Sequence, residues 1–202
     1  MSLSGQTDIE HALELVGELL ASDGHCFAVI VLGGAALNLL GIVERATTDV
    51  DILAVASPRT DGPPDQETTR QPPEPLPEPL LRAAATVARD LNLDSQWLNA
   101  GPALQWRVGL PPGLTHRVHW RQFSGLWVGV VARYDLIFFK LFAAADSTGP
   151  TSVHYQDLLA LRPSRQELEE AGGWVRTQDA SPEFATILEQ VLHHVREDLA
   201  LA

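Results

Sequence analysis

The stretch spanning residues 29–55, VIVLGGAALNLLGIVERATTDVDILAV, constrains the fold of this chain more than any other. Its approach, CFAVIVL (26–32), is an unbroken apolar run rich in β-branched residues, which predicts a buried strand with Cys26 as a small core residue. Gly33 and Gly34 end that strand, and the following AALNLLG has the composition of one or two helical turns. The glycines therefore fall at a strand-to-helix turn, where backbone N–H groups without helical partners can face an anion. The stretch closes in TTDVDILAV. Side chains alternate between the faces of a strand, so Asp49 and Asp51 share one face about 7 Å apart while Val50 and Ile52 take the other. Two carboxylates on one face resist burial unless a cation lies between them. Oxygen donors of this kind suit Mg²⁺ or Mn²⁺, which take one or two protein carboxylates and complete their coordination with phosphates and water. Asp49 and Asp51 are accordingly the candidate metal ligands and catalytic residues. An Asp-x-Asp alone often marks nothing more than a solvated strand end; the Gly-Gly turn before it gives it weight. Neither G-x-G-x-x-G nor G-x-x-x-x-G-K-[ST] occurs in the chain.

Composition limits the remaining possibilities. A chain of 202 residues with 45% hydrophobic content can bury one good core, or one core and a small helical appendage. The formal charge of −12 argues against non-specific wrapping of nucleic acid. The single cysteine precludes a disulfide framework, and no apolar run reaches membrane-spanning length. With no signal-peptide pattern at the N-terminus, the expected compartment is the cytoplasm.

Along the chain, Thr7-Asp8-Ile9-Glu10 reads as a capping box opening an amphipathic helix over residues 8–21, stopped by Asp23-Gly24. After the central stretch, residues 57–78 are rich in Pro and polar residues and predict an exposed, mobile insertion. Residues 80–93 return to helical periodicity. LQWRVGL, THRVHWRQF and LWVGVV alternate well enough for three further strands. Residues 95–134 contain no acid while carrying Arg107, Arg117, Arg121, Arg133 and two histidines, a cationic stretch suited to a triphosphate or nucleic acid. YDLIFFKLFAAAD (134–146) predicts a strongly apolar helix on which Lys140, the sole lysine, shares a face with Leu136, Ile137 and Ala144. Lys140 is either a structural, ion-paired residue or a cation reaching a nucleotide cleft. Asp157 lies on a mostly apolar helical face and is expected to partner Lys140 or Arg133. Ser164-Arg-Gln-Glu167 is a second capping box, opening a helix that Gly172-Gly173 should weaken, and Ser181-Pro182 starts the last helix. The adjacent His193 and His194 point to different parts of that helix and do not have metal-site spacing.

The Gly-Gly turn followed by an acid-hydrophobic-acid strand resembles the nucleotidyltransferase (DNA polymerase β-like) superfamily. Within it, the run Arg45, Thr47, Asp49, Asp51 is most similar to small bacterial proteins related to the AbiEii-type toxins and to uncharacterised nucleotidyltransferase-like families. Trp97-Leu98-Asn99 and the Asp-Leu-(x)n-Lys-Leu helix carrying Lys140 agree with that resemblance. It implies an α+β fold: a nucleotidyltransferase-type mixed β-sheet flanked by helices, with a core over residues 1–146 and a C-terminal helical segment over 147–202 packed on it. It also implies a transferase that binds a nucleoside triphosphate with Mg²⁺ (or Mn²⁺) and passes a nucleotidyl group to RNA, protein or a small molecule. Gly33, Gly34, Arg45, Thr48 and Lys140 would then bind nucleotide phosphates, with Asp157, Asn99 and Arg133 in support, although a turn-capping role suits Asn99 as well. Active polymerases of the superfamily place a third carboxylate on a later strand. Neither candidate strand here has one, and His119 or Arg121 stands in that position. The alternative is a catalytically degenerate nucleotide-sensing or protein-binding module, such as one half of a toxin–antitoxin pair.

Overall fold

The computed structural model describes residues 2–56, 62–64, 70–147 and 151–201. Much of the Pro-rich insertion, 57–61 and 65–69, lies outside them. The chain divides into two compact units, residues 1–131 and 132–202. The division falls before the apolar helix of residues 133–145, which groups with the C-terminal helices instead of with the expected core over 1–146.

The first unit is α+β. Its elements in order are β1 (Leu3–Ser4), α1 (Gln6–Ser22), β2 (Phe27–Leu32), α2 (Gly33–Leu39), β3 (Ala46–Thr47) and β4 (Val50–Ala56). There follow β5 (Arg70–Gln71), α3 (Glu78–Asp90), β6 (Leu98–Asn99), α4 (Gln105–Val108), β7 (His119–Phe123) and β8 (Leu126–Val130). The main sheet is mixed, in the order β5-β4-β2-β8-β7, and β6 pairs with β4. β2 runs antiparallel to β4 and parallel to β8. A strand covered on both faces is apolar throughout, and Ala28, Val29, Ile30 and Val31, which alternate between the two faces of β2, are all buried.

Ile9, Leu13, Val16 and Leu20 of α1 are buried as their spacing predicts. The expected capping box does not form. Helix α1 begins earlier, after Gly5, and Asp8 instead accepts the backbone N–H of Ser4 at 2.9 Å. α1 packs against β8, β7, α2 and α3. The approach to the β7–β8 turn is very close: the N–H of Gly125 donates to the carbonyl of Gly17 at 3.0 Å, and a Cβ on Gly17 would overlap the carbonyl of Phe123. Cys26 lies before β2 and is exposed, so it is not the core residue its apolar neighbours suggested.

Two further readings need correction. LQWRVGL is helical: a 3₁₀ turn over Gly101–Leu104 leads into α4. Pro102 sets the start of that turn, and the indole N–H of Trp106 donates to the carbonyl of Leu53, a tie that the apolar/polar alternation does not encode. The described part of the insertion is not wholly loose, since β5 pairs with β4 and Leu76 is buried.

The second unit is all helical: α5 (Arg133–Ala145), α6 (Val153–Leu161), α7 (Arg165–Val175) and α8 (Pro182–Asp198). α5 packs on the other three. Trp174 is surrounded by Phe138, Phe139 and Phe142 at ring separations of 5.7–6.4 Å, with Phe184 beyond Phe142 at 5.8 Å. The Ser164/Glu167 capping box is formed as expected, and Ser181 caps α8. Gly172-Gly173 does not break α7: Gly172 packs tightly against Leu192, where a larger residue would not fit easily. Among the described residues, no helix is long and apolar enough to cross a membrane.

Candidate metal and nucleotide site

Antiparallel pairing aligns Leu32, the last residue of β2, with Asp51 of β4. The Gly33-Gly34 turn that follows Leu32 is thereby delivered to the carboxylate. Gly33 adopts φ 75°, in the left-handed region, and a Cβ there would clash with Asp51 Oδ2. Glycine is required twice over, by backbone and by space. The contact places the first residue of α2 directly against a carboxylate oxygen.

Asp49 stands immediately before β4, and Asp51 is its second residue; both are half-buried, while Val50 and Ile52 are fully buried on the other register. Thr47 organises the approach. Its buried hydroxyl lies 3.2 Å from the Asp49 carbonyl and 3.4 Å from Asp49 Oδ1. Thr47 Oγ1 and Arg45 Nη2 also lie 3.1 and 3.4 Å from where a Cβ of Gly34 would stand, so threonine and guanidinium face the second glycine. The backbone N–H of Arg45 donates to Asn38 Oδ1 at 3.2 Å, and the Asn38 amide donates back to the Gly34 carbonyl at 3.0 Å. This buried asparagine links the turn to the segment bearing Arg45. Thr48 is exposed, and it is the hydroxyl of Thr47 that faces the turn.

On the other side of β4, parallel pairing with β6 aligns Asp51 with Asn99. Asn99 Oδ1 accepts the backbone N–H of Gly101 at 2.7 Å, the turn-capping role, yet the strand register also sets its carboxamide beside the Asp51 position. The acid-bearing strand thus has β6 as a neighbour besides β2 and β5. β7, which carries His119 and Arg121, is separated from β4 by β8 and β2, so neither residue stands where a third carboxylate would. Sequence reasoning missed β6 because two residues are too short to show a period; the signal present was the asparagine following buried Trp97, whose indole N–H is anchored on the Ala84 carbonyl at 3.0 Å.

The site therefore gathers Gly33, Gly34, Arg45, Asp49, Asp51 and Asn99 within the first unit, together with Thr47. Lys140, Asp157 and Arg133 belong to the second. There, Lys140 Nζ lies 2.8 Å from Asp157 Oδ2, with side-chain exposures of only 6% and 2%. Asp157 thus partners Lys140 as expected, in the ion pair that one of the two readings of this lysine foresaw. Arg133 forms a two-pronged bond to Glu167 at 2.6 and 3.1 Å and reaches the carbonyls of Leu161 and Arg162. The paired guanidinium, with the Ser164 hydroxyl and backbone, holds the Glu167 carboxyl well below its ordinary value, at about 2. The other arginines of the cationic stretch are also engaged locally: Arg121 bonds Glu10 at 2.8 Å and the Leu39 carbonyl at 3.0 Å, and Arg117 bonds the Pro112 carbonyl at 2.6 Å. The side chain of Arg107 lies outside the described residues.

Among the described residues no three His, Cys, Asp or Glu side chains converge as a metal cage. A cation held by Asp49 and Asp51 would need oxygen donors from a ligand, the arrangement Mg²⁺ adopts with phosphates. At Gly33 no side chain stands against Asp51 Oδ2. Comparison of the chain with protein-family models, with curated proteins and with solved structures finds no significant match in any of the three.

Proposed function

We propose that the first unit binds a nucleoside triphosphate with Mg²⁺ (or Mn²⁺) at Asp49 and Asp51 and transfers a nucleotidyl group to an acceptor hydroxyl. The observation that carries this reading is the Gly33 turn, which lacks a side chain at the point where Asp51 Oδ2 would meet one, so the turn backbone lies directly against the carboxylate. The resemblance of that turn and of the Asp-Val-Asp strand to nucleotidyltransferases supports it. Asp49 and Asp51 hold the metal, and Thr47 fixes the orientation of Asp49. The metal supplies charge neutralisation at the phosphates. Arg45, set against Gly34, offers a guanidinium to the triphosphate, and Gly33 and Gly34 allow the phosphates to approach the backbone. Lys140 is not assigned to this site, because its charge is matched by Asp157.

The position of Asn99 favours a second reading. An uncharged carboxamide beside Asp51 leaves the site with two acids, which suits a module that binds and senses nucleotide without turnover, including one acting with a protein partner as in a toxin–antitoxin pair. Titration with each nucleotide, with and without Mg²⁺, tests the site. Magnesium-dependent binding lost in Asp49→Ala with Asp51→Ala supports it, and binding indifferent to either removes it. Transfer of label from an α-labelled nucleotide then separates enzyme from sensor.

A further inference from the structure

The main sheet has two unlike edges. On the β4 side it ends in β5 and β6, of two residues each, which offer little backbone to another chain. On the far side it ends in β7, five residues long and paired, among the described residues, with β8 alone. The register of the β7–β8 hairpin fixes which backbone groups of β7 face outward. Phe123 and Leu126 flank the turn Ser124-Gly125 and exchange hydrogen bonds, so Arg121 with Val128 and His119 with Val130 do the same. The N–H and C=O groups of Trp120 and Gln122 therefore point away from β8. Among the described residues no hydrogen bond reaches them.

No side chain of β7 guards this edge. The strand has neither proline nor lysine, which natural edge strands use to turn other strands away. Its one permanent charge, Arg121, is drawn onto the α1 face, where it bonds Glu10 at 2.8 Å and the Leu39 carbonyl at 3.0 Å. On the opposite face the half-buried ring of Trp120 lies across Gly129, so close that a Cβ there would meet it at 2.9 Å.

A second copy of the chain fits this edge for two reasons. The outward groups stand two residues apart, so an antiparallel copy related by a two-fold axis at Arg121 sets Trp120 of each copy against Gln122 of the other, and all four N–H groups find carbonyls. Charge supplies the other reason. At −12 the chain repels its own copies over much of its surface, yet residues 95–134, which include β7 and β8, carry no acid. On the α1 face the axis brings two Arg121–Glu10 pairs together. Side-chain exposures of 40% and 35% leave each guanidinium within reach of the Glu10 of the other copy. We propose that β7 is a homodimer interface, in which two copies pair antiparallel about Arg121 and share one continuous sheet. This interface does not depend on the nucleotide reading.

Sedimentation equilibrium of the full chain should show a reversible monomer–dimer equilibrium at micromolar concentrations. Gln122→Pro removes one outward N–H from each copy and no bond to β8. It should leave the circular dichroism unchanged and raise the dimer dissociation constant about thirtyfold, the loss of two hydrogen bonds. Gln122→Lys, which keeps the N–H and adds a charge to the edge, should raise it as well. Arg121→Cys with Cys26→Ser should cross-link the two copies on oxidation, because residues facing each other on the axis form a non-hydrogen-bonded pair with Cα atoms about 4.5 Å apart, within the span of a disulfide. A monomer at every concentration overturns the proposal. So does a dimer indifferent to both changes at position 122, or one that does not cross-link through position 121, since its interface then lies elsewhere.

Discussion

The two units handle carboxylates in opposite ways. In the first, Asp49 and Asp51 bring two like charges to one strand end, half-buried, with glycine backbone and a guanidinium nearby. In the second, Asp157 is almost completely buried, and an ammonium 2.8 Å away cancels its charge. Burial of an ion is tolerable only where a partner and hydrogen bonds offset its desolvation. The helical unit meets that condition from its own side chains, so its charges serve the fold. The strand end keeps its two acids only half-buried, beside Gly33 and near the Arg45 guanidinium. The contrast teaches that a lone lysine amid apolar residues, attractive as a catalytic cation, is explained by the acid one helix away.

Removing one partner of the buried pair should have the largest effect. Asp157→Ala leaves Lys140 charged in an apolar interior and should cost about 3–5 kcal/mol in denaturant unfolding, while Lys140→Met with Asp157→Leu should recover most of the loss. A cost below about 1 kcal/mol for the single change would erase the distinction between the two units. Next in size is Gly33→Ala, which strains a left-handed backbone and collides with Asp51; about 1–3 kcal/mol of stability should go, together with magnesium-dependent nucleotide binding. Asp51→Ala in the same chain should return part of the stability and none of the binding.

A pH titration of stability sharpens the description of the helical unit. The folded Glu167 carboxyl titrates at about 2, below its ordinary 4.5, so its contribution is complete above pH 4.5 and is lost as pH falls toward 2. Because Arg133 and Glu167 are 40% and 22% exposed, screening reduces that contribution to about 1–2 kcal/mol. Glu167→Gln should flatten the stability profile across this window and leave it unchanged near neutrality except for a constant offset. The smallest effect belongs to Asp49→Asn. Thermal unfolding should move by no more than the equivalent of about 0.5 kcal/mol, because this acid is not a support of the fold, while metal-dependent binding falls. A large destabilisation would place Asp49 in the same class as Asp157.

The sequence made much of the fold legible because its long elements are periodic. α1, β2, β4, α3, the β7–β8 hairpin and the C-terminal helices were readable from apolar spacing, and the Ser164 box from its two end residues. Failures occurred where a long-range contact outweighed the local pattern. LQWRVGL alternates like a strand, yet Trp106 is tied to the Leu53 carbonyl and the segment winds into helix. Cys26 borders an apolar run but falls one residue outside the strand, at an exposed position. In the site, the partnership of Gly33 with Asp51 was foreseeable, since a strand, a turn and a second strand must bring them close. The alignment of Asn99 with Asp51 was not, because it depends on a two-residue strand held in place by a buried tryptophan.

The clash between a Cβ at Gly33 and Asp51 Oδ2 also bears on how this chain can vary between generations. A side chain at position 33 crowds the acid, while loss of the acid lifts that crowding and leaves the left-handed backbone that still calls for glycine. In descendants the glycine should therefore outlast the acid and the acid should not outlast the glycine, even though eighteen positions separate them along the chain. A lineage that abandons the chemistry should show it first at position 51, with position 33 and the sheet around it unaltered.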